Sequence, residues 1–101
     1  MKTKPFSLQL SDEAELDLDK SYEFYYENNP KVADTFFQRI KLGFENIKEN
    51  PVTFPIAHKD VRKYVIKKFP FVIYYRIINT SIQVIAIFHT SRNPEIWNER
   101  K

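Results

Sequence analysis

The apolar residues of this 101-residue chain change their spacing near its midpoint, and that change limits the folds open to it. Between residues 30 and 49 they recur at intervals of three and four, the period of an amphipathic helix. From residue 61 onward they alternate with polar residues or form almost wholly apolar runs, which is typical of strands. A helical part followed by a β part predicts an α+β fold.

Capping residues predict where the helices begin and end. Ser11 precedes a run of acidic residues, as expected for the cap of a helix over residues 12–27. Asn29 followed by Pro30 combines a cap with a proline in the first turn, and predicts a second helix over residues 30–49. Because the link between the helices is short, we expect them to form an antiparallel hairpin.

Strand patterns occupy most of the remaining sequence. Phe6, Leu8 and Leu10 alternate with polar residues in the segment PFSLQL, which predicts a short first strand at 5–10. The later segments are a two-proline loop at 51–60, strands at 61–67, 71–78 and 81–89, and a closing helix at 94–100. We therefore predict one domain over residues 1–101 with the order β-α-α-β-β-β-α. Its helix hairpin packs on a mainly antiparallel four-stranded sheet.

Composition excludes several kinds of site. The chain has no cysteine, so disulfides and thiolate chemistry are excluded. Its two histidines, His58 and His89, are too few for a convincing metal site, and we expect no metal or other cofactor. No apolar run is long enough to span a bilayer, and the N-terminus turns polar too early for a secretory signal. We expect a soluble cytoplasmic protein with no membrane partner.

Charge is distributed unevenly along the chain. Residues 11–50 carry ten acidic and five basic side chains, whereas residues 51–101 carry three acidic and nine basic ones. A basic C-terminal half attracts phosphates or an acidic segment of a partner protein. The charge alone does not distinguish these two partners.

Three local patterns, in this order, resemble those of the RelE/ParE toxins. The first is the opening helix pair, AELDLDKSYEFYYENNPKVADTFFQRI. The second is an aromatic–proline–aromatic corner leading into a Tyr-rich strand, KKFPFVIYYRI, and the third is a strand ending in His-x-x-Arg-x-Pro, VIAIFHTSRNPEIW. Together they cover nearly the whole chain. The third is more similar to the ParE branch, the plasmid-stabilisation type, than to the RelE nucleases.

The resemblance implies the toxic half of a type II toxin–antitoxin system, a growth inhibitor neutralised by a small cognate antitoxin. ParE-type toxins are associated with poisoning of DNA gyrase, and RelE-type toxins with mRNA cleavage on the ribosome. We therefore favour a ParE-like inhibitor of gyrase. Two alternatives remain open: a RelE-like ribosome-dependent endoribonuclease, and a degenerate, non-toxic binding module.

The basic C-terminal half supplies the candidate contacts with a target or an antitoxin. We expect an acidic amphipathic antitoxin segment to fold as it binds to a basic sheet face. The predicted binding residues are Arg62, Lys63, Lys67, Lys68, Tyr74, Arg76, Arg92 and Trp97. This hypothesis requires the arginines of the C-terminal half to share one surface.

An endoribonuclease would need more chemistry than a binding protein, namely a general base, a general acid and cations around the phosphate. The candidates for these roles are His89, Arg62, Arg76 and Arg92, with Tyr74 or Tyr75 stacking on a base. The tail PEIWNERK lacks the Tyr or His usual in the nuclease branch, and the only clear loop carboxylate is Asp60. The residue set therefore favours binding over catalysis.

Each candidate residue also has a purely structural interpretation. His89 ends an apolar strand, where a hydrogen-bonded histidine is expected. A buried Arg76 needs a partner, for which we expect a carboxylate of the helices, and Arg92 is expected to bond to carbonyls or to the same helices. Arg62 belongs to a solvated strand edge in this interpretation. Trp97 packs the closing helix onto the sheet.

Overall fold

A computed structural model of the chain describes residues 6–100. Pro5, which the sequence pattern included in the first strand, lies outside the described residues. The elements follow the predicted order with one strand added: β1 Ser7–Leu10, α1 Asp12–Asn28, α2 Pro30–Glu49, β2 Ile56–His58, β3 Val61–Val65, β4 Phe71–Ile78, β5 Ser81–His89 and α3 Glu95–Asn98. The boundaries of the predicted elements differ from the observed ones by no more than two residues.

The helix hairpin forms where the capping residues predict. Ser11 caps α1, because its Oγ accepts a hydrogen bond from the Ala14 amide at 3.1 Å. Asn29 serves both helices. Its backbone N–H donates to the Tyr25 carbonyl at 2.8 Å at the end of α1, and its side chain accepts from the Lys31 amide at 3.0 Å at the start of α2. One residue therefore joins the two helices, which pack against each other.

The strands form one sheet in the order β1-β5-β4-β3-β2. β1 is parallel to β5, and the other neighbouring pairs are antiparallel. The predicted mainly antiparallel sheet is confirmed, but the predicted count of four strands is wrong, because β2 lies within the expected loop. All three residues of β2 are exposed. No alternation of apolar and polar residues predicts a strand here, and the segment is a strand only because it pairs with β3.

An irregularity in β5 decides which of its side chains face the helices. Between neighbouring residues of β4 the pairing partner steps from Ala86 to Val84, which leaves Ile85 as an extra residue in β5. Val84 and Ile87 consequently both join the apolar cluster beneath the helices, although they are three residues apart. Ile85 and Ala86 belong to the cluster on the other face.

The larger apolar cluster joins the helices to the sheet. It includes Phe36 of α2 and Tyr75 of β4, which are both fully buried. Gly43 lies in this layer, and a Cβ there would stand 3.0 Å from both Ile73 Cδ1 and Tyr64 Cε1. The glycine that interrupts the helical pattern is therefore explained by close packing of α2 on the sheet.

The smaller cluster lies on the opposite face and depends on α3. Trp97 is only 3% exposed and packs with Val61 and Phe88, so its expected role in packing the closing helix is confirmed. Because α3 is short, side chains beside it remain uncovered, and Val65 is 61% exposed. We call this side of the sheet the open face; its outward side chains on β3 and β4 include Lys63, Val65, Tyr74, Arg76 and Ile78.

Candidate functional site

The register of the sheet separates the predicted binding residues into two groups. Arg62 is paired with Tyr75, which packs beneath the helices, whereas Lys63 is paired with Tyr74 on the open face. Arg76 follows Tyr75 and points the same way as Tyr74, since successive side chains of a strand alternate. Lys63, Tyr74 and Arg76 therefore share the open face, and Arg62 does not.

Three rings form an aromatic cluster on the open face. The ring centroids of Tyr74 and Trp97 lie 4.6 Å apart with their planes inclined by 31°, and His58 meets Trp97 edge-on at 6.2 Å. Trp97 Nε1 is buried and has no hydrogen-bond partner within residues 6–100. A buried indole N–H normally donates to an acceptor. The cluster is therefore a packed apolar surface that still carries one unused donor.

Arg76 stands beside this cluster with a weak partner. Its Nε lies 3.7 Å from Oδ2 of Asp60 in the turn between β2 and β3. That distance is too long for a hydrogen bond, and the Asp60 side chain is 68% exposed. Such a solvent-screened pair contributes at most about 1 kcal/mol. The prediction of a carboxylate partner on the helices is wrong, because Arg76 points away from them. Its guanidinium remains able to bind another carboxylate or a phosphate.

Side chains complete the hydrogen bonding of β5 where its pairing with β1 ends at Val84. The Ile87 amide donates to Asp17 Oδ2 at 3.0 Å, and Arg100 donates to the Ile85 carbonyl at 2.8 Å. Arg100 also donates to the two oxygens of Asp17 at 2.7 and 3.2 Å. These bonds satisfy strand groups that would otherwise lack partners.

Arg92 completes what we call the edge cluster, which consists of Asp17, Arg92 and Arg100. Its Nη1 lies 3.4 Å from Asp17 Oδ1, and its guanidinium carbon lies 3.9 Å from the centroid of the Phe88 ring. The expected link between Arg92 and the acidic helices is confirmed. Two guanidinium groups face one carboxylate, so the cluster keeps a net positive charge beside a pocket of about 180 Å³.

Neither Asp17 nor Arg100 was predicted from the sequence as a member of a site. One signal was present for the first: Asp17 lies three residues after Ala14 and directly before Leu18, on the apolar stripe of α1. A carboxylate on a buried stripe needs a partner. No local pattern marked Arg100, because its partner lies 83 residues away in the sequence.

Arg62 binds the protein itself. Its Nη1 donates to the Phe54 carbonyl at 2.7 Å and to the Val52 carbonyl at 3.1 Å. Beside it, the Tyr75 hydroxyl donates to the Pro51 carbonyl at 2.7 Å. Burial raises the pKa of Tyr75 to about 12, although the nearby charge of Arg62 acts in the opposite direction. Arg62 thus stabilises the loop after α2 through these hydrogen bonds. The interpretation of Arg62 as part of a solvated strand edge is wrong.

His89 also has an internal role. Its Nδ1 accepts a hydrogen bond from the Ser91 amide at 3.0 Å, and its ring meets Phe71 edge-on at 5.3 Å. Phe71 belongs to the cluster beneath the helices, so His89 lies on that side of the sheet. The structural interpretation of a hydrogen-bonded histidine is confirmed.

The two remaining lysines, Lys67 and Lys68, lie exposed in the turn between β3 and β4. Lys68 adopts a φ of 73°, in the left-handed region, which is unfavourable by on the order of 1 kcal/mol for a residue with a Cβ. Lys67 lines a pocket of about 150 Å³ together with Asn46 and Tyr64. Lys67 therefore belongs to the helix side of the molecule.

The arginines do not share one surface. Arg62 lies on the helix side of the sheet beside the loop after α2, Arg76 on the open face and Arg92 at the edge of β5. Arg76 is paired with Gln83, and His89 lies six residues further along β5, about 20 Å away at the usual rise per residue. The hypothesis of a common arginine surface is therefore wrong. The four residues considered for RNA cleavage are not brought together.

Comparison with known proteins identifies the family. A sequence profile described as "ParE toxin of type II toxin-antitoxin system, parDE" matches residues 8–94. The chain belongs to the ParE toxin family. The region matched by the ParE profile contains Asp17, Arg92 and the open-face residues of β3 and β4, and it ends before Trp97 and Arg100.

Solved structures share this ParE fold. A chain of the chromosomal ParDE toxin–antitoxin system from P. aeruginosa is 24% identical with a TM-score of 0.74, and the alignment covers 83% of this chain and 95% of that one. A chain of the RelBE2 toxin–antitoxin complex from Mycobacterium tuberculosis is 14% identical with a TM-score of 0.58, covering 85% and 99%. At these identities the likeness is one of fold, and it confirms the predicted RelE/ParE-like class. A search of curated protein sequences found no significant match.

The polar groups on the open face of this ParE-family chain suit the binding of anions. They are the guanidinium of Arg76, the ammonium of Lys63 and the phenol of Tyr74, which can donate to carboxylates or phosphates. Among residues 6–100, no group of three or more histidine, aspartate or glutamate side chains lies close enough together to hold a metal ion. No helix in the same range has the length and apolarity needed to cross a bilayer.

Proposed function

We propose that this chain is a ParE-like toxin that inhibits DNA gyrase by binding it, and that a cognate antitoxin neutralises the toxin by covering the open face. Family membership supports the toxin role. The separation of Arg62, Arg76, His89 and Arg92 favours binding over catalysis, since general acid–base chemistry needs such groups within hydrogen-bond reach of one substrate. The observation that carries the proposal is the weakly paired Arg76 beside the Tyr74–Trp97 cluster.

An acidic amphipathic segment fits the open face better than a purely charged ligand does. Lys63 and Arg76 supply cations there, and Val65 and Ile78 are apolar side chains that are 61% and 44% exposed. Aromatic residues and arginine are enriched at the energetic centres of protein interfaces. A partner helix or strand with carboxylates on one side and apolar residues on the other would satisfy both groups.

A supercoiling assay with purified gyrase and relaxed plasmid tests the target. We expect the wild-type toxin in excess to block supercoiling, and the Lys63→Glu/Arg76→Glu variant to need at least tenfold more protein. Lys31→Glu/Lys48→Glu is the matched control, because it makes the same charge change on α2 and should inhibit like the wild type. Unimpaired supercoiling at excess wild-type toxin would overturn the gyrase part of the proposal.

Overproduction of the toxin in a host that lacks the antitoxin tests the cellular role. We expect growth arrest that is relieved when a cognate antitoxin is expressed as well. Normal growth would instead indicate a non-toxic binding module. Codon-positioned mRNA 5′ ends during the arrest would indicate the ribonuclease and overturn the binding mechanism.

A further inference from the structure

The helix hairpin carries a second surface, on the side of the sheet opposite to the open face. Side chains of α1 recur there at every fourth position in two sets, which lie in rows along the helix with about 6 Å between successive members. We call them the acidic row, Asp19, Glu23 and Glu27, and the apolar row, Leu18, Tyr22 and Tyr26.

A groove runs beside these rows between the two helices. The Tyr22 ring lies 6.0 Å from the Tyr26 ring and 6.1 Å from the Phe37 ring of α2, and its hydroxyl donates to Asp34 Oδ1 at 3.0 Å. That bond holds the central ring in place. The hairpin groove has a volume of about 500 Å³ and is lined by Leu18, Asp19, Tyr22, Glu23 and Phe37. A second hollow of about 350 Å³ continues it past Tyr26 and Glu27.

Charge and ring chemistry both favour a cationic occupant. The carboxylates of the acidic row line the groove and its continuation, and Asp34 binds the Tyr22 hydroxyl beside them, so the groove lies in a negative potential. Tyr26 is 52% exposed and Phe37 is 37% exposed, so their ring faces are accessible to a cation. The chain's own Lys41 already places its Nζ 5.8 Å from the centroid of the Phe37 ring. An ammonium group therefore already lies beside one of the rings that line the groove.

The length of the groove fits a short peptide segment. From Leu18 to Glu27 it follows α1 for about 14 Å, which an extended chain spans with about four residues. Every second side chain of an extended chain repeats at about 6.7 Å, close to the spacing of about 6 Å in the acidic row. Basic residues at alternate positions can therefore each meet one carboxylate.

We infer that the hairpin groove binds an extended basic segment of a partner protein. Its alternate lysine or arginine residues lie along the acidic row, and their aliphatic stems pack on Tyr22 and Tyr26. This surface is separate from the open face. An acidic partner on the open face and a basic segment in the hairpin groove can therefore bind at the same time.

Binding of a labelled hexapeptide of alternating arginine and serine to the full chain tests the inference, with glutamate replacing arginine in a control peptide. We expect saturable binding of the arginine peptide alone. Glu23→Gln/Glu27→Gln should raise the Kd at least tenfold, and Tyr26→Ala at least threefold. The matched control Glu45→Gln/Glu49→Gln removes the same charge from exposed positions of α2 and should bind like the wild type.

Three outcomes would overturn the inference. The first is that the arginine peptide shows no saturable binding at low salt. The second is that both double variants weaken peptide binding equally, which indicates diffuse electrostatic attraction. The third is self-association that Glu23→Gln/Glu27→Gln abolishes, because it assigns the groove to a second copy of this chain. The substituted side chains are exposed, so the variants should stay folded, which circular dichroism checks. None of these residues lies on the open face, so failure here is distinguishable from failure of the toxin proposal.

Discussion

At the scale of single residues, Asp17 holds together the C-terminal part of the fold. Its carboxylate accepts hydrogen bonds from a strand amide and from Arg100, and it also faces Arg92. With 7% of its side chain exposed, the carboxylate has little access to water. A buried charge is tolerated only while it is paired, so the edge cluster depends on this one residue.

We expect Asp17→Asn to lower the free energy of unfolding by about 3 kcal/mol, because Arg100 then keeps a buried charge without a counter-charge. Urea denaturation measures the change as a lower midpoint at an unchanged m value. Asp19→Asn, an exposed change on the same helix, should alter stability by no more than about 0.5 kcal/mol. Equal stability of Asp17→Asn and the wild type would refute this role.

Tyr75 gives the stability of the fold a dependence on high pH. Its folded-state pKa is about 12 because of burial. A tyrosine in an unfolded chain has a pKa of about 10, so the unfolded chain loses its proton first as the pH rises. The contribution of Tyr75 is therefore intact below about pH 10, and it falls by up to about 1.4 kcal/mol per pH unit between about pH 10 and about pH 12.

We expect Tyr75→Phe to be about 1 kcal/mol less stable than the wild type near neutral pH, because it lacks the hydrogen bond to Pro51. Near pH 11 that deficit should disappear, since phenylalanine has no proton to lose. Urea unfolding of both proteins at the two pH values measures the difference. A deficit that stays constant with pH would contradict the assignment.

At the scale of elements, the distance between α2 and the sheet depends on Gly43. In an exposed helix a change from glycine to alanine stabilises by about 1 kcal/mol. Here a Cβ would press on Ile73 and Tyr64 at 3.0 Å and on Ile66 at 3.2 Å. These side chains are held in the packed layer, so steric strain outweighs helix propensity.

We expect Gly43→Ala to destabilise the fold by about 1 kcal/mol. Ile73→Val removes the Cδ1 atom that the new methyl group would meet. The double variant should therefore cost at least about 0.5 kcal/mol less than the sum of the two single variants. Chemical denaturation of the four proteins gives this coupling, and strict additivity would show that the two sites do not touch.

At the scale of the whole molecule, surfaces of opposite charge lie on opposite sides of the sheet. The open face presents Lys63 and Arg76, while the hairpin presents the acidic row of α1. Two partners of opposite charge can therefore approach the toxin without competing for one surface. Both contacts lie near solvent, where salt screens charges separated by more than about 10 Å.

We expect the affinity for the acidic segment of the cognate antitoxin to fall by about tenfold or more between about 50 mM and about 500 mM salt. Lys63→Gln/Arg76→Gln should weaken binding and flatten this dependence, because its charges are absent at every salt concentration. Lys31→Gln/Lys48→Gln, on α2, should retain the wild-type slope. Titration calorimetry with the antitoxin segment at both salt concentrations provides the measurement, and an affinity indifferent to salt would remove the electrostatic part of the proposal.

The elements of this fold could be predicted because their signals are local. Ser11 and Asn29 carry the caps in their own side chains, and the apolar spacing of α2 reflects one helix face. The candidate site was harder to predict. Lys63, Tyr74 and Arg76 share the open face, as strand alternation predicts. Arg62 is directed to the other face and bonds to carbonyls of the loop after α2, a contact that no local pattern indicates.

The order and type of every element except β2, and their boundaries to within two residues, follow from the sequence alone, because each depends on interactions over a few residues. Only the tertiary structure decided that β2 is a strand, that Ile85 shifts the faces of β5 and that Asp17 meets Arg100. Each of these depends on a partner far away in the chain. Local spacing specifies the faces within one element, whereas the pairing of distant segments decides which face meets which neighbour.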